Sequence, residues 1–158
     1  MENEFYTVRG YELKNSEKKI TPAMEDYLEM IYRNSLENNY IRTNQLAKLL
    51  NVKNSSVSKM LQKLSGLGLL NHEKYSIVTL TEKGKKIGAF LLKRHSTIEI
   101  FLKLLGCKQN ILIQTELMEH IINEETVERI QTLINFFDIN KDTFDKYIVF
   151  SNTIDKVK

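Results

Sequence analysis

Between Ile41 and Thr81 the chain reads IRTNQLAKLLNVKNSSVSKMLQKLSGLGLLNHEKYSIVTLT. Thr43 caps a short amphipathic helix, NQLAKLL, with Leu46, Ala47, Leu49 and Leu50 on its apolar face. Asn51-Val52-Lys53 interrupts it, and Asn51 is a residue type that accepts the left-handed conformation ending a helix. Asn54 or Ser55 then caps SSVSKMLQKLSG, whose inward stripe is Val57, Met60, Leu61 and Leu64. Gly66 and Gly68 stop that helix. LLNHEKY and IVTLT follow as two strands around a turn near Tyr75-Ser76. The order predicts a winged helix-turn-helix.

Such a unit implies duplex DNA as its partner. The second helix turns Ser55, Ser56, Ser58, Lys59, Gln62 and Lys63 outward. Small hydroxyls in its first turn let backbone N–H groups approach phosphate, and Lys, Gln and Ser reach base edges or phosphates. Arg42 and Lys53 at the helix entrances, and Lys74 and Tyr75 on the wing, complete the expected DNA-binding set. Charge agrees with this. Ile41 to His95 holds eleven Lys and Arg against Glu73 and Glu82, whereas Ile111 to Asp138 holds six acids against Arg129. A basic segment suits a polyanion, although charge alone is also consistent with solvated faces.

The remaining periodicities are helical, so the predicted class is mainly α. Residues 1–20 form an N-terminal arm. Thr21-Pro22 is a helix start, and Met24, Tyr27, Leu28, Ile31 and Tyr32 form the stripe of the helix that leads to Asn38-Asn39. With that helix, residues 21–82 make the DNA-binding domain. Thr81 caps a long connecting helix over about 82–105, striped by Ile87, Phe90, Leu91, Ile98, Phe101, Leu102 and Leu105 and stopped by Gly106. NILIQTELMEHII follows, with Leu117, Met118, Ile121 and Ile122 apolar. Asn123 caps EETVERIQTLINFF, striped by Val127, Ile130, Leu133, Ile134 and Phe137. Residues 83–138 thus form an all-helical domain. Its surplus apolar face is most simply buried in a homodimer, which would present two recognition helices to a palindromic site. The tail, 139–158, carries one weak helical signal around Phe144 to Phe150.

With 158 residues, 42% of them hydrophobic, the chain can bury a core. The single Cys107 excludes an intramolecular disulfide and fits a reducing cytosol. Neither a signal-peptide core nor a run of membrane-spanning length occurs, so a cytoplasmic location is expected, with no membrane partner. There is no Gly-rich phosphate loop and no Ser/His/Asp or Cys/His arrangement, and no small-molecule substrate is implied.

Two polar sets lie outside this scheme. Asp26 and Glu29 share a face of the first helix. Glu116, Glu119 and His120 fall at i, i+3 and i+4 further on, and His95 stands on the long helix between the two sets. Carboxylates with imidazole and no thiolate suit Mn²⁺ or Fe²⁺. Read singly, each set is equally a solvent-facing helix surface.

From Thr21 to about Phe137 the chain resembles the diphtheria toxin repressor family of metal-dependent regulators, and within it the manganese transport regulator branch. The residues that carry this are TPAMEDYLEMIYR, IRTNQLAKLLNVKNSSVSKMLQKL, HEKY, LTEKGKKIG, LLKRH, ETVERI and the spaced Glu116, Glu119 and His120. The resemblance implies a homodimer, a winged helix and a helical dimerisation domain with metal sites. Asp26, Glu29, His95, Glu116, Glu119 and His120 match the branch's six ligand positions. Iron-responsive relatives place Met at the Asp26 position and Cys at the Glu116 position. The hard oxygen set here points to Mn²⁺, with Fe²⁺, Co²⁺ and Cd²⁺ as alternatives.

Four departures stand out. Ile121 follows His120 where the branch has a second His. The wing reads Tyr75-Ser76-Ile77 in place of Tyr-Arg-Gly, which removes a basic tip. Asn54 replaces Pro. Leu112 replaces the His of an extra site in longer relatives, leaving Glu99 without that site to serve, and the resemblance stops short of their SH3-like third domain. The expectation is a metal-responsive transcriptional repressor acting on metal-uptake genes, and not an enzyme. The alternatives are a winged-helix regulator answering to Fe²⁺ or to no metal, and a metal-dependent hydrolase, for which no nucleophile stands apart from the ligands.

Overall fold

The structure is a computed structural model describing residues 20–72 and 77–155, and it divides into two compact units that meet in sequence at Lys85 and Lys86. Helix α1 (Pro22–Ser35) starts where the Thr-Pro pair predicts. The Thr21 side chain makes no cap, and its carbonyl instead accepts from the Met24 and Glu25 N–H groups. Met24, Tyr27, Leu28, Glu29 and Ile31 are buried along α1, whereas Tyr32 is only half-buried.

Ile41 and Arg42, directly before the first helix of the motif, form a strand, β1 (Ile41–Arg42). Helix α2 (Thr43–Leu49) follows, then Asn51 in the left-handed conformation at φ 53°, then α3 (Asn54–Gly66). Thr43 and Asn54 are the first residues of their helices and not their caps. Arg42 and Lys53 stand at the cap positions and contribute backbone only. Leu49 points outward, while Leu46, Ala47, Val57, Leu61 and Leu64 are buried. Strands β2 (Leu70–His72) and β3 (Ile77–Leu80) form the hairpin, and its tip lies outside the described residues. The sheet order is β1-β3-β2, all antiparallel, with Ile41 opposite Val78 and Leu70 opposite Leu80. Leu28, Ile41, Leu46, Val57, Leu61, Leu64, Leu69 and Val78 are almost wholly withdrawn from solvent. Each such side chain contributes about 1.5–3 kcal/mol. This is the winged helix-turn-helix.

Helix α4 (Glu82–Leu104) begins at Thr81, whose Oγ1 accepts from Gly84 N at 3.0 Å and donates to the Gly68 carbonyl at 2.8 Å. Gly84 lies so close to the chain after α3 that a Cβ there would collide with the Leu69 carbonyl oxygen. Lys83 Nζ donates to the Leu67 carbonyl at 3.1 Å. The first turn of α4 is therefore fastened to the three residues that leave the recognition helix.

The second unit comprises the rest of α4, then α5 (Ile111–Glu119), α6 (Glu124–Ile139) and α7 (Lys141–Asp155). Asn123 Oδ1 accepts from Thr126 N at 2.8 Å, the predicted cap. Leu91, Ile98, Leu102, Val127 and Ile134 form its buried apolar set. Thr97 Oγ1 on α4 donates to Gln131 Oε1 on α6 at 3.0 Å. The tail is a fifteen-residue helix, longer than its weak signal, held by ring contacts of Phe144 and Tyr147 with Phe137 at 5.6 and 5.9 Å. No helix among the described residues is long and apolar enough to cross a membrane.

Candidate metal centre

The recognition surface is the outer face of α3. Ser55, Ser56, Lys59, Gln62 and Lys63 are exposed there, as are Arg42 and Lys53 at the helix entrances. Ser58 is half-buried, and its hydroxyl donates to the Asn54 carbonyl at 3.1 Å, so it serves the helix before any ligand. An open groove at the turn between α2 and α3 is lined by Asn44, Lys48, Lys53 and Ser56 among others, a lining that suits phosphate. Lys74, Tyr75 and Ser76 lie outside the described residues.

In the first unit Asp26 and Glu29 lie one turn apart on α1. Glu29 is buried at 6% exposure, and its Oε1 accepts two bonds from Arg33, from Nε at 2.8 Å and from Nη2 at 2.6 Å. Burial, and then the Asp26 carboxylate, push the Tyr27 phenol above its ordinary pKa. Arg33 is the residue that the sequence reading missed here, although i, i+4 spacing from Glu29 is its visible signal.

In the second unit α4 and α5 bring the other candidates together. His95 Nδ1 lies 2.8 Å from Glu119 Oε2, both residues being buried, and 3.7 Å from the half-exposed Glu116 Oε1. His120 follows the end of α5, with Nε2 at 3.9 Å from Glu119 Oε1. The apolar side of α5 lies outward and its polar side inward. Thr115 and Glu119 are its buried residues, and Leu112, Ile113, Leu117 and Ile121 point outward. Glu99 is committed elsewhere, accepting from Lys103 Nζ at 2.7 Å.

These separations test whether a cation fits. Around a small divalent ion with bonds of about 2.1 Å, neighbouring donor atoms lie roughly 3 Å apart and opposite ones roughly 4 Å. The distances among His95, Glu116, Glu119 and His120 fall in that range, and their donors are hard oxygen and imidazole nitrogen. The Glu119 carboxylate, at 1% exposure, has lost its hydration and requires a positive partner.

A winged-helix reading unit in one chain with helices that gather carboxylates and imidazoles defines a metal-dependent transcriptional regulator. Residues 19–78 match the iron dependent repressor N-terminal DNA binding domain, and residues 81–143 match the iron dependent repressor metal binding and dimerisation domain. The chain belongs to this family, that of the diphtheria toxin repressor, whose members are DNA-binding regulators and not enzymes. It is 43% identical over 118 residues to the HTH-type transcriptional regulator MntR of Oceanobacillus iheyensis, 74% of this chain and 80% of that one. The MntR of Geobacillus thermodenitrificans is 44% identical over 118 residues, 74% of this chain and 84% of its own. The solved structure of the manganese regulator SloR matches with a TM-score of 0.64 at 31% identity over 72% of this chain. The present chain spans only 54% of that SloR chain.

Proposed function

We propose that the protein is a manganese-responsive repressor that acts in the cytoplasm as a homodimer on a palindromic operator and controls metal-uptake genes. The observation that carries this reading is the buried His95–Glu119 pair, flanked by Glu116 and His120, in the domain that the family uses for metal binding and dimerisation. The likeness to the manganese regulator SloR supports the choice of ion. So does a ligand set free of sulfur, though Fe²⁺, Co²⁺ and Cd²⁺ suit the same donors.

Asp26, Glu29, His95, Glu116, Glu119 and His120 are the proposed ligands. Mn²⁺ would supply the positive charge that offsets the repulsion among such carboxylates. Asp26 and Glu29 belong to the same unit as the recognition helix, so holding them fixes the placement of α3. His95, Glu116, Glu119 and His120 belong to the helical unit through which two copies associate. Leu112, Ile113 and Leu117, exposed on α5, and Ile121 just beyond its end are apolar surface for a second copy. Arg42, Lys53, Ser55, Ser56, Ser58, Lys59, Gln62 and Lys63, with Lys74 and Tyr75 of the wing, contact the duplex.

The test is an operator titration in chelated buffer, with and without Mn²⁺, and with Fe²⁺, Co²⁺ and Cd²⁺ as further arms. Metal should tighten operator binding by a factor of about 5–150, and operator should tighten metal binding by the same factor. Equal DNA affinities with and without every metal would sink the switch.

A further inference from the structure

We propose that Arg33 is a built-in competitor of the divalent cation for Glu29, and so sets the metal concentration at which the protein responds. The inference rests on the metal reading above and adds a control to it. Both bonding atoms of the guanidinium converge on a single carboxylate oxygen of Glu29, at 2.8 and 2.6 Å. The Arg33 side chain is 38% exposed and that of Glu29 is 7% exposed, so a solvated cation reaches inward to neutralise a buried anion.

Two consequences follow. Without metal, the Glu29 carboxylate still has a counter-charge, so α1 keeps its buried acid at tolerable cost. With metal, the guanidinium draws electron density from a ligand oxygen and adds one positive charge beside the incoming ion. The four carboxylates proposed as ligands then offer three net negative charges, not four, with both imidazoles neutral. Guanidinium stays protonated across the physiological range, so this opposition is constant and independent of pH. It acts through Glu29, and Arg33 is a positioning and charge-setting residue, not a ligand. Groups one shell from a metal typically change its affinity by about 10–100-fold. A cation in that place changes it in the weakening direction.

The experiment measures Mn²⁺ affinity by calorimetry for the full chain, for Arg33→Leu and for Arg33→Lys, beside the thermal shift that saturating Mn²⁺ produces. Arg33→Leu is expected to bind Mn²⁺ about tenfold more tightly. Its metal-free unfolding temperature should fall and its Mn²⁺-induced shift should exceed that of the parent chain. Arg33→Lys keeps the charge and should stay close to the parent. Unchanged or weaker binding by Arg33→Leu, with parental binding intact, overturns this inference and leaves the metal reading standing. Failure of every variant and of the parent to bind Mn²⁺ overturns both.

Discussion

At 1% exposure Glu119 gives up nearly all of its hydration, and His95 Nδ1 at 2.8 Å replaces part of it. Glu119→Gln preserves shape and removes the charge. A neutral amide costs less to bury than a carboxylate and still hydrogen-bonds His95, so its metal-free unfolding temperature should not fall. Its Mn²⁺ affinity, read by calorimetry, should drop by more than about tenfold, the scale of change seen one shell further out. A normal affinity would remove Glu119 from the site. The position of this acid was legible in the sequence from its spacing to Glu116 and His120, but its burial was not. Periodicity marks Leu117, Met118, Ile121 and Ile122 as an apolar set but does not say which side of α5 packs inward, and there Thr115 and Glu119 are the buried residues. Left-handed Asn51 was readable for the opposite reason, because its conformation depends on residue type and local backbone alone.

Single elements show the same division. Caps that work through a side chain, Asn123 and Thr81, follow directly from local chemistry. Thr43 and Asn54 look like caps by type, but each sits one step inside its helix. Strand β1 has two residues, too few for an alternation to register, and exists only because β3 is there to pair with it. Helix α7 gains its length from aromatic packing on α6, which a window along the sequence does not sense. The tightest constraint on an element is at Gly84. Gly84→Ala forces the start of α4 away from Leu69, and chemical denaturation should show a loss of about 1–3 kcal/mol. Because Leu69 follows α3 closely, operator affinity measured at saturating metal should fall as well.

For the whole molecule, charge is sorted by segment along the chain, the basic residues collecting from Ile41 to His95 and the acids from Ile111 to Asp138. Operator binding should therefore weaken steeply with salt. Lys59→Ala or Lys63→Ala should each lower the slope of log K against log salt by about 1 if that side chain meets phosphate. A Lys59→Ala slope equal to the parent's would place Lys59 off the phosphates. The resemblance read from Thr21 to Phe137 was enough to give the family, since the two matched domains run from 19 to 143. Its reach came from motif spacing, whereas Arg33 is a feature of this chain's own geometry. The pairing of β1 with β3 carries one more consequence. Ile41 and Val78 lie 37 positions apart, with both helices of the reading motif between them. Closing that long loop costs entropy before its contacts repay it. The reading unit should thus assemble on a slower clock than a purely helical segment, with the sheet clasp forming late and the motif enclosed when it does.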